Sequence, residues 1–225
     1  FVQGMHMASK VAPFNFDDTK SYLMSLFGQT SLSITDEQLE KLTIILEMLN
    51  TWNSALNLTA IRDVKQMAVL HILDSAVAAP VVASVDGVKH VADVGTGAGF
   101  PGLVLAVLHP ELNFTLIDSV GKLSFVRQVS ARLKLSNVEM INKRCEEIEH
   151  EPFDCIVSRA FAPIERMVSW CLPLLKDDGR FVAMKANLEQ EELDAIPSSV
   201  EIERIEELHV PECDAKRQAV VLKKV

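Results

Sequence analysis

Hydrophobic positions follow a helical period in the first third of the chain, then break into short apolar runs separated by helical stretches. Thr35-Asp-Glu-Gln38 reads as a capping box, a Thr cap with Gln three residues on. Leu39, Leu42, Ile45, Leu46, Leu49 and Trp52 follow at helical spacing, and the polar stretch Asn53 to Thr59 breaks or caps that helix. Val64 to Ala79 forms a second amphipathic helix carrying His71 and Asp74. From residue 89 the pattern predicts strands near 89–94, 113–118, 137–142, 154–158, 180–185, 200–208 and 217–224, with helices near 100–108, 120–134, 163–175 and 188–195. Such alternation predicts an α/β fold with a mostly parallel, doubly wound sheet of seven strands. The short link Val210-Pro-Glu-Cys-Asp214 makes the last two strands an antiparallel hairpin. The expected organisation is a remnant at residues 1–7 outside the fold, an N-terminal helical extension over 8–85, and a Rossmann-like domain over 86–225.

Composition narrows the class. The 225 residues are 48% hydrophobic, enough for a sizeable core. No apolar run reaches the ~18 residues of a membrane span, and Ala76–Val85, the nearest, contains Pro80. Cys145, Cys155, Cys171 and Cys213 form no C-x-x-C pair, so reduced thiols in the cytoplasm are expected.

The densest signal is Val91-Ala-Asp-Val-Gly-Thr-Gly-Ala-Gly-Phe-Pro-Gly102, the grammar of strand, glycine turn and helix. Such a turn aims helix amides at a bound small molecule. Gly97-Ala-Gly99-Phe-Pro-Gly102 matches the dinucleotide pattern literally, but in the wrong register. The glycine that leaves the strand is Gly95, and the sixth position from it is Phe100. Asp93 before the turn suits the cationic amino-acid end of S-adenosyl-L-methionine and repels a pyrophosphate. Asp118, at the end of the next strand and about 20 residues on, is placed to accept from a ribose diol. A helix cap at Asp118 is the plainer alternative.

The matching pieces extend beyond the turn. They are Trp52-Asn-Ser-Ala-Leu-Asn-Leu-Thr59, His71-Ile-Leu-Asp-Ser75, Asp93 to Gly102, Asp118-Ser119 and Ser158-Arg-Ala-Phe161. In these the chain resembles the bacterial small-subunit (16S) ribosomal RNA guanine-N7 methyltransferases, also called glucose-inhibited division protein B. The resemblance implies S-adenosyl-L-methionine as cofactor, and 16S rRNA within the 30S subunit or an assembly intermediate as partner, with no membrane and no metal. It implies cofactor contacts at Gly95, Thr96, Gly97, Gly99, Phe100, Asp118, Cys145, Glu146 and Arg159. Phe100 would wall the pocket, and Cys145 and Glu146 would sit by the adenine. Arg159 is expected to be the catalytic group, between cofactor and base. Asn57, His71, Asp74 and Arg144 are expected substrate contacts. His71 and Asp74, at i and i+3, fit a structural hydrogen bond equally well, and Trp52 suits the core better than a stacking platform. The roles of Lys122 and Lys185 stay open.

Guanine N7 has an exposed lone pair and no proton to lose, so displacement at a sulfonium methyl needs no general base; positioning carries the catalysis. A small-molecule methyltransferase or a non-catalytic RNA-binding protein on the same fold are the competing readings. A net charge of −9 argues against RNA. Against that stand Lys122, Arg127, Arg132, Lys134, Lys143 and Arg144, in a stretch whose one acid is Glu139. A second cluster, Lys216, Arg217, Lys223 and Lys224, closes the chain. Together they predict a basic face at the cofactor mouth on an acidic body.

Overall fold

The computed structural model describes residues 13–121, 123–159 and 162–225. The remnant expected at 1–7, Lys122, and the Ala-Phe pair closing the motif after the fourth strand lie outside the described residues.

Seven strands form one sheet: β1 (His90–Val94), β2 (Asn113–Ile117), β3 (Val138–Ile141), β4 (Phe153–Arg159), β5 (Leu175–Ala186), β6 (Val200–Leu208) and β7 (Arg217–Lys224). Their order is β3-β2-β1-β4-β5-β7-β6. The first five are parallel, and β7 inserts antiparallel between β5 and β6. The predicted α/β sheet with its terminal antiparallel hairpin is the one observed.

The helices are α1 (Phe16–Phe27), α2 (Asp36–Leu56), α3 (Val64–Ala76 in three segments), α4 (Ala79–Ala83), α5 (Gly102–Leu108), α6 (Leu123–Leu133), α7 (Ile164–Cys171) and α8 (Gln190–Asp194). The capping box forms: Thr35 Oγ1 accepts from the Gln38 amide at 3.1 Å, and Gln38 Oε1 accepts from the Thr35 amide at 3.0 Å. α2 runs past the asparagines and ends at Asn57 in the left-handed conformation, φ 49°. α1 is an element beyond those expected. Asn15 caps it, and Leu23, Leu26 and Phe27 bury its inner face.

Two other expectations shift. The helix expected over 163–175 stops at Cys171 and tightens to a 3₁₀ turn, Leu172–Leu174, where Pro173 has no amide to give. β5 starts at Leu175, because the charged Lys176-Asp-Asp-Gly179 stretch is a register shift inside an extended run. Trp52 packs edge-to-face on Phe125 at 5.6 Å between ring centroids, so it belongs to the core.

The N-terminal helices and one sheet face share a continuous hydrophobic core, from Leu23 and Leu46 through Phe114 to Val182. A second core on the other face joins α7 to Phe153, Phe181 and Leu222. The helical run Val64–Ala83 has the length and mean hydropathy (1.5) of a membrane span, but 72% of that window is buried in this core. Packing of α3 on the sheet brings His71 and Asp74 to the end of β4.

Candidate active site

The glycine turn is stapled from behind by Asp93. Its Oδ2 accepts from the Thr96 hydroxyl at 2.6 Å and from the Gly102 amide at 2.8 Å, so one oxygen ties strand end to helix start. Oδ1 has no partner among the described residues, and the side chain is fully buried. Burial pushes the Asp93 pKa up to about 7, against the pull of both hydrogen bonds and of Arg159. Asp93 thus faces the protein's own loop rather than open space for a cofactor ammonium. Gly102 permits this approach: a Cβ there would lie 2.7 Å from Leu116 and 2.9 Å from Asp93 Oδ2.

Asp118 holds the loop's outer side. Its Oδ2 accepts from the Gly97 amide at 2.7 Å and its Oδ1 from the Val120 amide at 2.8 Å. Each carboxylate oxygen keeps a lone pair for a hydroxyl. The helix expected to be capped by Asp118 starts only at Leu123, so Asp118 braces the two loops instead, and its free lone pairs leave room for a diol.

Asp118 lines a cavity of about 510 Å³ with Gly95, Arg144, Cys145, Glu146 and Trp170. Gly95 (φ 68°) and Gly97 (φ 58°) carry the turn in the left-handed region, and a Cβ on Gly97 would meet nothing within 4 Å. These residues fit an adenosyl group: acids for hydroxyls and an exocyclic amine, bare backbone, and a flat indole. Sequence reasoning misses Trp170, whose only signal is an aromatic on the helix that follows β4.

A second cavity, about 520 Å³, opens beside α3 and the ends of β4, β5 and β7. Arg159 stands on its wall with His71, Asp74, Lys185, Glu192 and Arg217. Nη1 of Arg159 donates to the Leu70 carbonyl at 2.6 Å and to Asp74 Oδ2 at 3.3 Å, and Nη2 donates to His71 Nδ1 at 3.1 Å. The middle of α3, Ala68–Leu73, is a π-helical turn, and the Leu70 carbonyl that Arg159 reaches lies within it. Asp74, 6% exposed, also accepts from Arg217 Nε at 2.8 Å. His71 stacks on Phe100 at 4.9 Å, with the Arg159 guanidinium 5.7 Å from the same ring. Thr59 Oγ1 lies 2.8 Å from His71 Nε2. Burial and Arg159 lower the His71 pKa to about 3, so the ring is neutral.

The expected residues divide between these cavities. Gly95, Asp118, Cys145 and Glu146 gather at the first, and Arg144 joins them instead of the base pocket. Arg159, His71 and Asp74 gather at the second. Phe100, 3% exposed, lies beneath His71 and lines neither cavity, because the imidazole covers its face. Thr96 and Gly99 are buried in the turn: Thr96 bonds Asp93, and a Cβ on Gly99 would strike Leu103. Asn57 shapes its loop by accepting from Arg62. Lys185, whose role the sequence leaves open, pairs with Glu192.

The two basic clusters differ, and of the first, among the described residues, only Lys143 and Arg144 line the first cavity. Arg127, Arg132, Lys134, Lys143 and Arg144 are exposed and form no ion pair among the described residues. The C-terminal cluster is largely neutralised instead: Arg217 pairs with Asp74, Lys223 with Glu201 and Lys224 with Asp177.

A seven-stranded sheet with β7 reversed between β5 and β6, and an adenosyl-sized cavity beside a glycine turn, define an S-adenosylmethionine-dependent methyltransferase. Solved structures share this fold. The S-adenosylmethionine-dependent methyltransferase SibL gives a TM-score of 0.53 at 15% identity, over 92% of this chain and 74% of that one. The N-methyltransferase NodS from Bradyrhizobium japonicum gives 0.52 at 14%, over 67% and 93%. The chain belongs to the rRNA small subunit methyltransferase G family, whose model matches residues 38–221. The ribosomal RNA small subunit methyltransferase G of Escherichia coli (strain K12 / DH10B) is 44% identical over 203 residues, 89% of this chain and 96% of its own.

Proposed function

We propose that this protein transfers the methyl group of S-adenosylmethionine to N7 of a guanine in 16S rRNA, in the cytoplasm, on the 30S subunit or a precursor of it. The observation that carries the reading is the pairing of the two cavities within a chain of this family. One has acids and bare backbone for an adenosyl group, and the other has Arg159 on its wall.

The bound cofactor supplies an electrophilic sulfonium methyl. The chain's own residues orient and exclude. Asp93 and Asp118 hold the glycine turn rigid from both sides. Asp74, His71 and the Leu70 carbonyl hold Arg159 in one orientation, so its placement is set before substrate arrives. His71 is neutral and already hydrogen-bonded at both nitrogens, which suits a reaction with no proton to remove. The unpaired cations from Arg127 to Arg144 supply phosphate contacts on an otherwise acidic chain.

The test is transfer of label from methyl-tritiated S-adenosylmethionine to 30S particles from a strain lacking the enzyme. Incorporation into 16S rRNA supports the reading. Binding of NAD in place of S-adenosylmethionine, or label confined to small molecules, refutes it.

A further inference from the structure

Lys185 and Glu192 form an ion pair at 2.7 Å on the wall of the second cavity. Lys185 follows Met184, the β5 partner of Arg159, so the pair sits one strand beyond the arginine. Lys185 Nζ donates to the Ala162 carbonyl at 2.7 Å and to Glu192 Oε2, which leaves one of its three protons. Glu192 Oε2 also accepts from the Ile164 amide at 3.0 Å. Glu192 Oε1 accepts nothing among the described residues, so both of its lone pairs are open. The wall thus presents one fixed donor beside one fixed acceptor oxygen.

Between the two purines that order complements guanine. The Watson–Crick edge of guanine carries the O6 acceptor followed by the N1–H and N2–H donors. Adenine presents a donor and then an acceptor, the reverse. We propose that Lys185 and Glu192 read the Watson–Crick edge of the target guanine, Nζ donating to O6 and Oε1 accepting from N1–H and N2–H. N7 lies on the imidazole ring, away from that edge, so this grip leaves it free to attack. The anchors at Ala162 and Ile164 fix both groups in advance, which makes a wrong base leave them unpaired. The inference rests on the reading of the chain as a guanine-N7 rRNA methyltransferase.

The test compares kcat/KM on small-subunit rRNA bearing guanosine or inosine at the target; inosine keeps O6 and N1–H but lacks the N2 amine. Wild type should prefer guanosine by roughly 10- to 100-fold. Glu192→Gln should slow the guanosine substrate by a similar factor and bring the guanosine-to-inosine ratio close to one, with S-adenosylmethionine affinity unchanged. Lys185→Met should slow both substrates alike, since both keep O6. If Glu192→Gln slows both equally, the pair only braces α8 against β5 and the inference is wrong. Wild-type activity on Glu192→Gln also overturns it. A wild-type chain that methylates neither rRNA refutes the underlying function and this inference with it.

Discussion

Arg159 donates to Nδ1 of His71 at 3.1 Å, and this hydrogen bond fixes the tautomer of the histidine. A guanidinium only donates, so Nδ1 accepts and the ring proton sits on Nε2, facing Thr59 Oγ1 at 2.8 Å. The His71 ring is therefore a spacer between a threonine and an arginine, stacked on Phe100.

His71 should remain the neutral Nε2–H tautomer well below pH 6. Its folded pKa of about 3 lies under the ordinary 6.5, so the folded chain binds fewer protons between those values. That stability is complete above pH 6.5 and is lost as pH falls toward 3. Asp93 acts oppositely: its folded pKa of about 7 exceeds 3.8, so its contribution is lost as pH rises through 7. Nitrogen-15 NMR of His71 checks the first claim, and a ring titrating near 6.5 would refute it.

Asp74→Asn should cost about 2 kcal/mol, because it leaves the Arg159 and Arg217 guanidinia half-paired in a mostly buried site. Tm should fall by roughly 4–8 °C. Activity should fall further than cofactor affinity, since Arg159 is no longer held in one orientation while the first cavity is untouched. Calorimetric scans beside single-turnover rates measure both.

Gly102→Ala puts a methyl 2.9 Å from Asp93 Oδ2 and 2.7 Å from Leu116. The staple between Asp93 and the Gly102 amide must open. A drop of about 1–3 kcal/mol in stability and a weaker S-adenosylmethionine Kd are expected. An alanine variant that binds the cofactor as tightly as wild type would show that the staple does not shape the turn.

Arg127→Ala, Lys134→Ala and Arg144→Ala should each weaken rRNA binding and lower the salt slope by about one, the change expected when one phosphate is no longer neutralised. Lys223→Ala, whose cation is already paired with Glu201, should leave the slope unchanged. Titrations at several salt concentrations separate the two groups.

The parts of the fold that local chemistry dictates are legible in the residues. The capping box at Thr35, the strand–glycine–helix run from Val91 and the closing hairpin carry their own short-range signals. Asp118 is readable as a buttress of the turn's end, and it bonds the Gly97 and Val120 amides. What stays hidden depends on tertiary packing. α1 is the exception: Thr19, Leu23, Leu26 and Phe27 do carry a helical spacing, behind the Asn15 cap. The π turn at Ala68–Leu73 leaves no mark in composition, yet it supplies the carbonyl that holds Arg159. Phe100 reads as a pocket wall, but a histidine 29 positions earlier covers it. The acids that pair Lys223 and Lys224 lie far from them in sequence, so a cluster that reads as basic is largely neutralised in space.

The most direct measurement is mass mapping of 16S rRNA from 30S particles incubated with the pure protein and S-adenosylmethionine. A single N7-methylguanosine should appear, and Arg159→Ala should reduce it at least ~100-fold while S-adenosylmethionine still binds. A methyl group on another atom or base, or an Arg159→Ala enzyme as active as wild type, would contradict the account.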